Sequence, residues 1–159
     1  MTRLLTTLLL LLTGLTAACG LSERERTVSE ANQAIDAVFH ASRDVAHRVG
    51  DIQDDAASPD AFRPLILAVE RYLGRVEALN AALRAVSETI PELQGHLEGE
   101  FLPAAEQAIG ACEDAMRTLN QERAATDDYQ RAVARVGLCM ERYAAAVTRM
   151  AQAYQRAQR

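Results

Sequence analysis

The chain has 159 residues, and its 17 cationic side chains are all arginine, set against 22 acidic ones for a net charge of −5. That balance argues against nucleic acid as a partner and against electrostatic adhesion to an anionic membrane. The length suits one compact domain, and few aromatics without tryptophan point to a core of Leu, Val, Ile and Ala. The lack of lysine reads as the codon usage of a GC-rich genome rather than as phosphate recognition.

Residues 1–18 have the layout of a secretory signal. Arg3 supplies the positive start, Leu4 to Leu15 form an apolar run, and small residues follow. The run is roughly twelve residues, short of the ~20 that a spanning helix needs. The stretch Leu15-Thr16-Ala17-Ala18-Cys19-Gly20 then resembles a bacterial lipoprotein lipobox, with small residues at the two positions before the cysteine. Thr16 stands where that pattern usually has leucine. The resemblance covers residues 1–20 only. It implies cleavage before Cys19, a diacylglyceryl thioether on its sulfur and an N-acyl chain such as palmitate, hence a membrane-anchored protein of the cell envelope. Gly20 in place of the aspartate typical of inner-membrane retention implies the outer membrane, facing the periplasm, in a diderm host. Ordinary cleavage after Ala18, releasing a soluble protein, is the other route. Three cysteines favour lipid: if Cys112 and Cys139 pair, Cys19 is the odd one, and lipid accounts for it.

Beyond a tether over 19–26, the pattern predicts an all-α, up-down-up-down antiparallel four-helix bundle over 27–157, with helices at about 23–56, 60–88, 91–121 and 126–157. Ser22-x-x-Glu25 and Thr27-x-x-Glu30 both have the form of a capping box. Val28, Ala31, Ile35, Val38, Ser42, Val45, Val49 and Ile52 then alternate by three and four, marking one helix face. Ser58-Pro59-Asp60 ends that run and starts the next, which carries Phe62, Leu65, Val69, Tyr72, Val76, Leu79, Leu83 and Val86. Thr89-Ile90-Pro91-Glu92 offers a further capping box. The third seam, from Leu93 to Leu119, contains Pro103 with Gly99 four residues earlier, which predicts a kink. Thr126-Asp127-Asp128 places a cap and two acids at the start of the fourth helix. Its seam runs from Tyr129 through Val136, Cys139, Tyr143 and Met150 to Ala153.

Short turns fix which residues stand at equal height. Val49 comes level with Val69, Ser42 with Val76, Tyr72 with Ile109, and Cys112 with Cys139. Four helices near 30 residues, or ~45 Å each, with short connections specify the bundle. The level placement of Cys112 and Cys139 on adjacent seams favours a disulfide, permitted in an exported protein, over two buried thiols.

Candidate chemistry is sparse. His40, Asp44 and His47 share a face of the first helix, but that face is opposite the seam, so a solvated surface is the better reading than a metal site. There is no Glu-x-x-His for a di-iron centre and no Cys-x-x-Cys-His for covalent haem, and no cofactor is expected. Met116, Met140 and Met150 read as packing. Ser42, Tyr72 and Tyr143 form a mid-bundle layer beside small residues, which could line a ligand cavity or be closed by the tyrosine rings. Arg135, Arg142, Arg149 and Arg156 recur every seven residues beside the fourth seam. They could form a docking stripe, or pair with acids of the third helix and cover the core with their stems. Leu67 and Leu138 are expected to face outward. No nucleophile–base constellation or phosphate loop is recognisable. The expectation is a non-enzymatic, lipid-anchored envelope protein that works by contact with another envelope protein, as an adaptor, assembly factor or escort. The alternative is a periplasmic binder of a small ligand or metal in the bundle interior.

Overall fold

The computed structural model describes residues 22–52, 59–121 and 125–158. The signal segment 1–18, the lipobox residues with Cys19, the expected end of the first helix over 53–56, and Ser58 of the first turn lie outside the described residues. Four helices are present and no strand occurs among the described residues: the protein is an all-α, up-down-up-down four-helix bundle. Helix α1 is Glu23–Gly50 and α2 is Pro59–Thr89. Helix α3 is a composite rod, with a 3₁₀ turn Pro91–Leu93, one α-turn Gln94–His96, a π-helical turn Leu97–Phe101 and an α-helix Leu102–Leu119. Helix α4 is Thr126–Ala157.

The caps show how the chain chooses its boundaries. Of the two boxes at the start, Ser22 and Glu25 are the one used. The Glu25 N–H donates to Ser22 Oγ at 3.3 Å, and the Ser22 N–H donates to Glu25 Oε2 at 2.9 Å. Donation from the Ser22 backbone, then from its hydroxyl, holds the Glu25 carboxyl below the usual carboxylate range. Residues 23–26 are therefore helical, as the expected helix start at about 23 has them rather than the tether drawn over 19–26, and Thr27 is an interior residue, buried, donating to the Arg24 carbonyl at 3.0 Å. Thr89 likewise closes α2, donating to the Val86 carbonyl at 2.9 Å, instead of opening α3. Ile90 makes the corner in extended backbone, and Pro91 begins the 3₁₀ turn, where its missing N–H is harmless. At α4 the N-cap position falls on Ala125, whose N–H donates to Asp128 Oδ2 at 3.3 Å. Asp128 is bound first by Arg131 and then by that N–H, and its carboxyl is held below the ordinary range.

Pro103 produces a widened turn. It has no N–H for the Gly99 carbonyl, and its ring crowds that oxygen. The backbone accommodates this over Leu97–Phe101, with the Leu102 N–H bonding back to the Leu97 carbonyl.

Burial is uneven among the four seams. Every seam residue of α2 and α4 is buried, and on α3 only Ile109 and Met116 are partly exposed. On α1, Ala31 and Val45 are covered, while Val28, Ile35, Val38 and Val49 are half-buried, as is Ile52 just past its end. Helix α1 packs along α2 and α3 along α4, whereas the backbones of α1 and α4 approach one another at few points. The expected consequence is measurable by urea denaturation. Leu79→Ala, at a fully buried position, costs about 2–5 kcal/mol. Ile35→Ala, an equivalent seam position on α1, costs about 1–2 kcal/mol, because part of that side chain is already in water.

Candidate functional site

The interior is built around aromatic rings and one covalent link. Cys112 of α3 and Cys139 of α4 form a disulfide with Cα atoms 5.6 Å apart, both residues buried. One turn away lie the two mid-bundle tyrosines, edge to face at 6.4 Å between ring centroids, with Phe101 against Tyr143 at 6.1 Å. The Tyr143 hydroxyl crosses the bundle and donates to Asn80 Oδ1 of α2 at 2.8 Å, with the Val76 carbonyl beyond at 3.4 Å. Burial drives both phenol pKa values well above the ordinary range, and for Tyr143 the neighbouring Tyr72 adds to the effect. Ser42 is satisfied locally, donating to the Phe39 carbonyl at 2.8 Å. The space among Tyr72, Ile109, Tyr143 and the disulfide is closed by the side chains themselves, with a free volume of about 0 Å³ for even a water-sized molecule. That is below the ~300 Å³ at which ligand pockets begin. Asn80 is the residue that sequence reasoning passed over. It stands four residues after Val76 and three before Leu83, so a polar side chain at seam spacing was the available signal.

Outside the seams, the histidine face of α1 is occupied by ion pairs. Asp44 accepts from Arg71 of α2 at 2.7 Å and faces Arg48 at 3.6 Å, while His47 Nδ1 lies 3.0 Å from Asp51. His40 lines an open crevice with Arg71 and Arg75. No cluster of three metal-ligating side chains occurs among the described residues.

Helix α4 presents a different outer face. Arg135, Leu138, Arg142 and Arg149 are exposed along it, with Leu138 at 52 % exposure. None of Arg135, Arg142, Arg149 and Arg156 lies within ion-pair distance of a carboxylate among the described residues. Three acids of α3 are engaged on their own helix, while Glu92, Glu106 and Glu113 stand outside ion-pair distance of these arginines. Asp114 pairs with Arg117 at 3.1 Å, Glu100 with His96 at 3.0 Å, and Glu98 accepts from Gln94 at 3.2 Å. Asp128 takes Arg131. Leu67 on α2 is exposed as well, at 47 %.

Between α1 and α4 runs a narrow apolar groove, open on one side, with a free volume of about 50 Å³. Val28 and Ile35 form one wall, Val147, Met150 and Tyr154 the other, and Leu83, Val86 and Leu93 the floor. No helix among the described residues is long and apolar enough to cross a membrane.

No protein-family model, no curated protein and no solved structure matches the chain.

Two outcomes follow from the interior. Replacing both Cys112 and Cys139 by alanine removes a cross-link over 27 residues. It lowers stability by about 3–4 kcal/mol in the chain-entropy model, read as a shift in denaturation midpoint. The tyrosines give a pH dependence. Their folded pKa values lie above the unfolded value, so the unfolded chain loses its phenol protons first and stability falls as pH rises past about 10. Each tyrosine contributes a slope of about 1.4 kcal/mol per pH unit there. Alkaline titration of Tyr143→Phe shows a shallower loss than the parent protein.

Proposed function

We propose that this is a lipid-anchored cell-envelope protein that works without catalysis, by docking another envelope protein on the outer face of α4. The observation that carries the reading is the row of exposed arginines beside Leu138 on a chain that is acidic overall. Arg142, Arg149 and Arg156 have no carboxylate partner among the described residues, while Arg135 acts on Asp128 from beyond ion-pair distance. Left unpaired, the guanidinium forks are available for bidentate contact with carboxylates of a partner, and arginine is the cation most favoured at such interfaces. An exposed leucine beside them supplies apolar area. The partner would therefore be an acidic protein surface with an apolar spot. The lipobox-like Cys19 would supply the membrane hold through its acyl chains, in the outer membrane of a diderm host. Two or three chains anchor firmly where one does not.

Gentle detergent extraction of the protein from its own membrane, followed by crosslinking and mass spectrometry, tests this. The expected result is a stoichiometric envelope protein whose recovery falls about tenfold or more on Arg142→Glu or Leu138→Asp, with the thermal midpoint unchanged. A protein that comes out alone, or a partner that both variants retain at parental levels, overturns the reading.

A further inference from the structure

The groove between α1 and α4 has a location that bears on the lipid. The first turn of α1 lies beside the last turn of α4, close enough that the charge of Arg24 acts on the Tyr154 phenol. On the other side Thr27 meets Thr89, with their hydroxyls 3.4 Å apart. The groove thus lies toward the end of the bundle from which the N-terminal segment departs. Ser22 is the N-cap, and the three residues back to Cys19 span at most ~11 Å when extended. Val28, the first wall residue, lies six positions past Ser22, ~9 Å along the helix axis. A long substituent on Cys19 therefore reaches the groove with chain to spare.

Shape and chemistry narrow the occupant. Asn32 at the lip and the Tyr154 hydroxyl are the polar side chains on the walls. A peptide laid there would bury backbone N–H and C=O groups with almost nothing to pair them, which is costly. A helix, ~10 Å across, is also too thick for a slot of this volume. A methylene chain brings no polar groups and is thin. The half-buried state of Val28 and Ile35, both seam residues, leaves apolar area for it to cover.

We infer that this groove receives one acyl chain of the lipid on Cys19 of the same molecule, an inference that rests on the lipoprotein reading above. In the retracted state the bundle shields that chain from water, and membrane attachment depends on those that remain. In the inserted state the groove is empty and all chains hold the membrane. The groove is then a store that sets how firmly the protein is anchored.

The test uses the native full-length protein from cells fed a fatty acid carrying a photoreactive diazirine. After detergent extraction, intact mass reports whether Cys19 is acylated, and irradiation followed by peptide mapping reports what the acyl chain touches. The expected result is an acylated Cys19 crosslinked to peptides covering residues 28–35 and 147–154, with a yield independent of protein dilution. Ala151→Trp, which fills the groove from α4, lowers that yield severalfold while the lipid mass and helical spectrum stay as they were. Asn32→Trp does the same from α1, should the first variant misfold. An acylated Cys19 whose crosslinks reach only detergent, lipid or other faces overturns the inference and leaves the lipoprotein reading standing. Crosslinks that vanish on dilution also overturn it, because they identify a second copy as the acyl donor. An unmodified Cys19 removes both readings together.

Discussion

The contact on which the bundle depends is the diagonal one between α2 and α4. Two ring pairs bridge it: Phe62 on Tyr129, stacked at 4.8 Å, and Tyr72 against Tyr143. The Tyr143–Asn80 hydrogen bond ties the same two helices where the rings leave off. Four helices around one axis share a centre of limited width, and aromatic side chains of one diagonal pair occupy it. The opposite pair differs in cover: the seam of α3 is buried apart from Ile109 and Met116, while that of α1 is half-exposed. Helix α3 is compensated by its disulfide to α4. Helix α1 has no such link, which explains its half-exposed seam and the groove at its side. Uneven burial thus follows from where the large rings are placed, since all four helices carry an unbroken seam.

Much of this was legible in the sequence, and for a definable reason. The three-four alternation depends only on helix period, so the seam residues are those that the pattern marks. Equal-height pairing depends only on short turns, so Tyr72, Ile109 and Tyr143 come together as the spacing implies. What the pattern could not carry is the competition among neighbours. Thr27 and Thr89 both satisfy the form of a capping box, yet each hydroxyl is taken by its own preceding turn and by the other. Capping motifs state which residues are able to cap, while the choice is made by tertiary packing at the helix end. The same applies to Val28 and Ile35, which have core chemistry but lack a facing helix close enough to cover them. The arginines of α4 are a further instance. Sequence spacing places acids within reach on α3, and only the structure shows Asp114 and Glu100 already engaged along their own helix.

Interior polar groups are few and locally answered. Among the described residues no buried side-chain nitrogen or oxygen lacks a partner. Ser42, Ser87 and Thr89 donate to carbonyls in the preceding turn, and Tyr143 has Asn80. Exposed apolar and charged groups lie elsewhere, on α1 and on the outside of α4.

What folding requires of α4 lies on its inner face, from Tyr129 to Ala153, together with the Asp128 cap. The outer face answers to no such demand. An exposed arginine without a partner is well hydrated and costs the fold almost nothing, just as a surface ion pair would contribute little. Stability therefore neither selects for that row nor selects against it. Four arginines at seven-residue intervals keep to one side of a helix whose other side is fixed by packing, so the row keeps one orientation relative to the core. A rigid scaffold with an energetically neutral, charged and oriented face is a physical arrangement suited to recognition, because the face can be matched to a partner without disturbing what holds the bundle together.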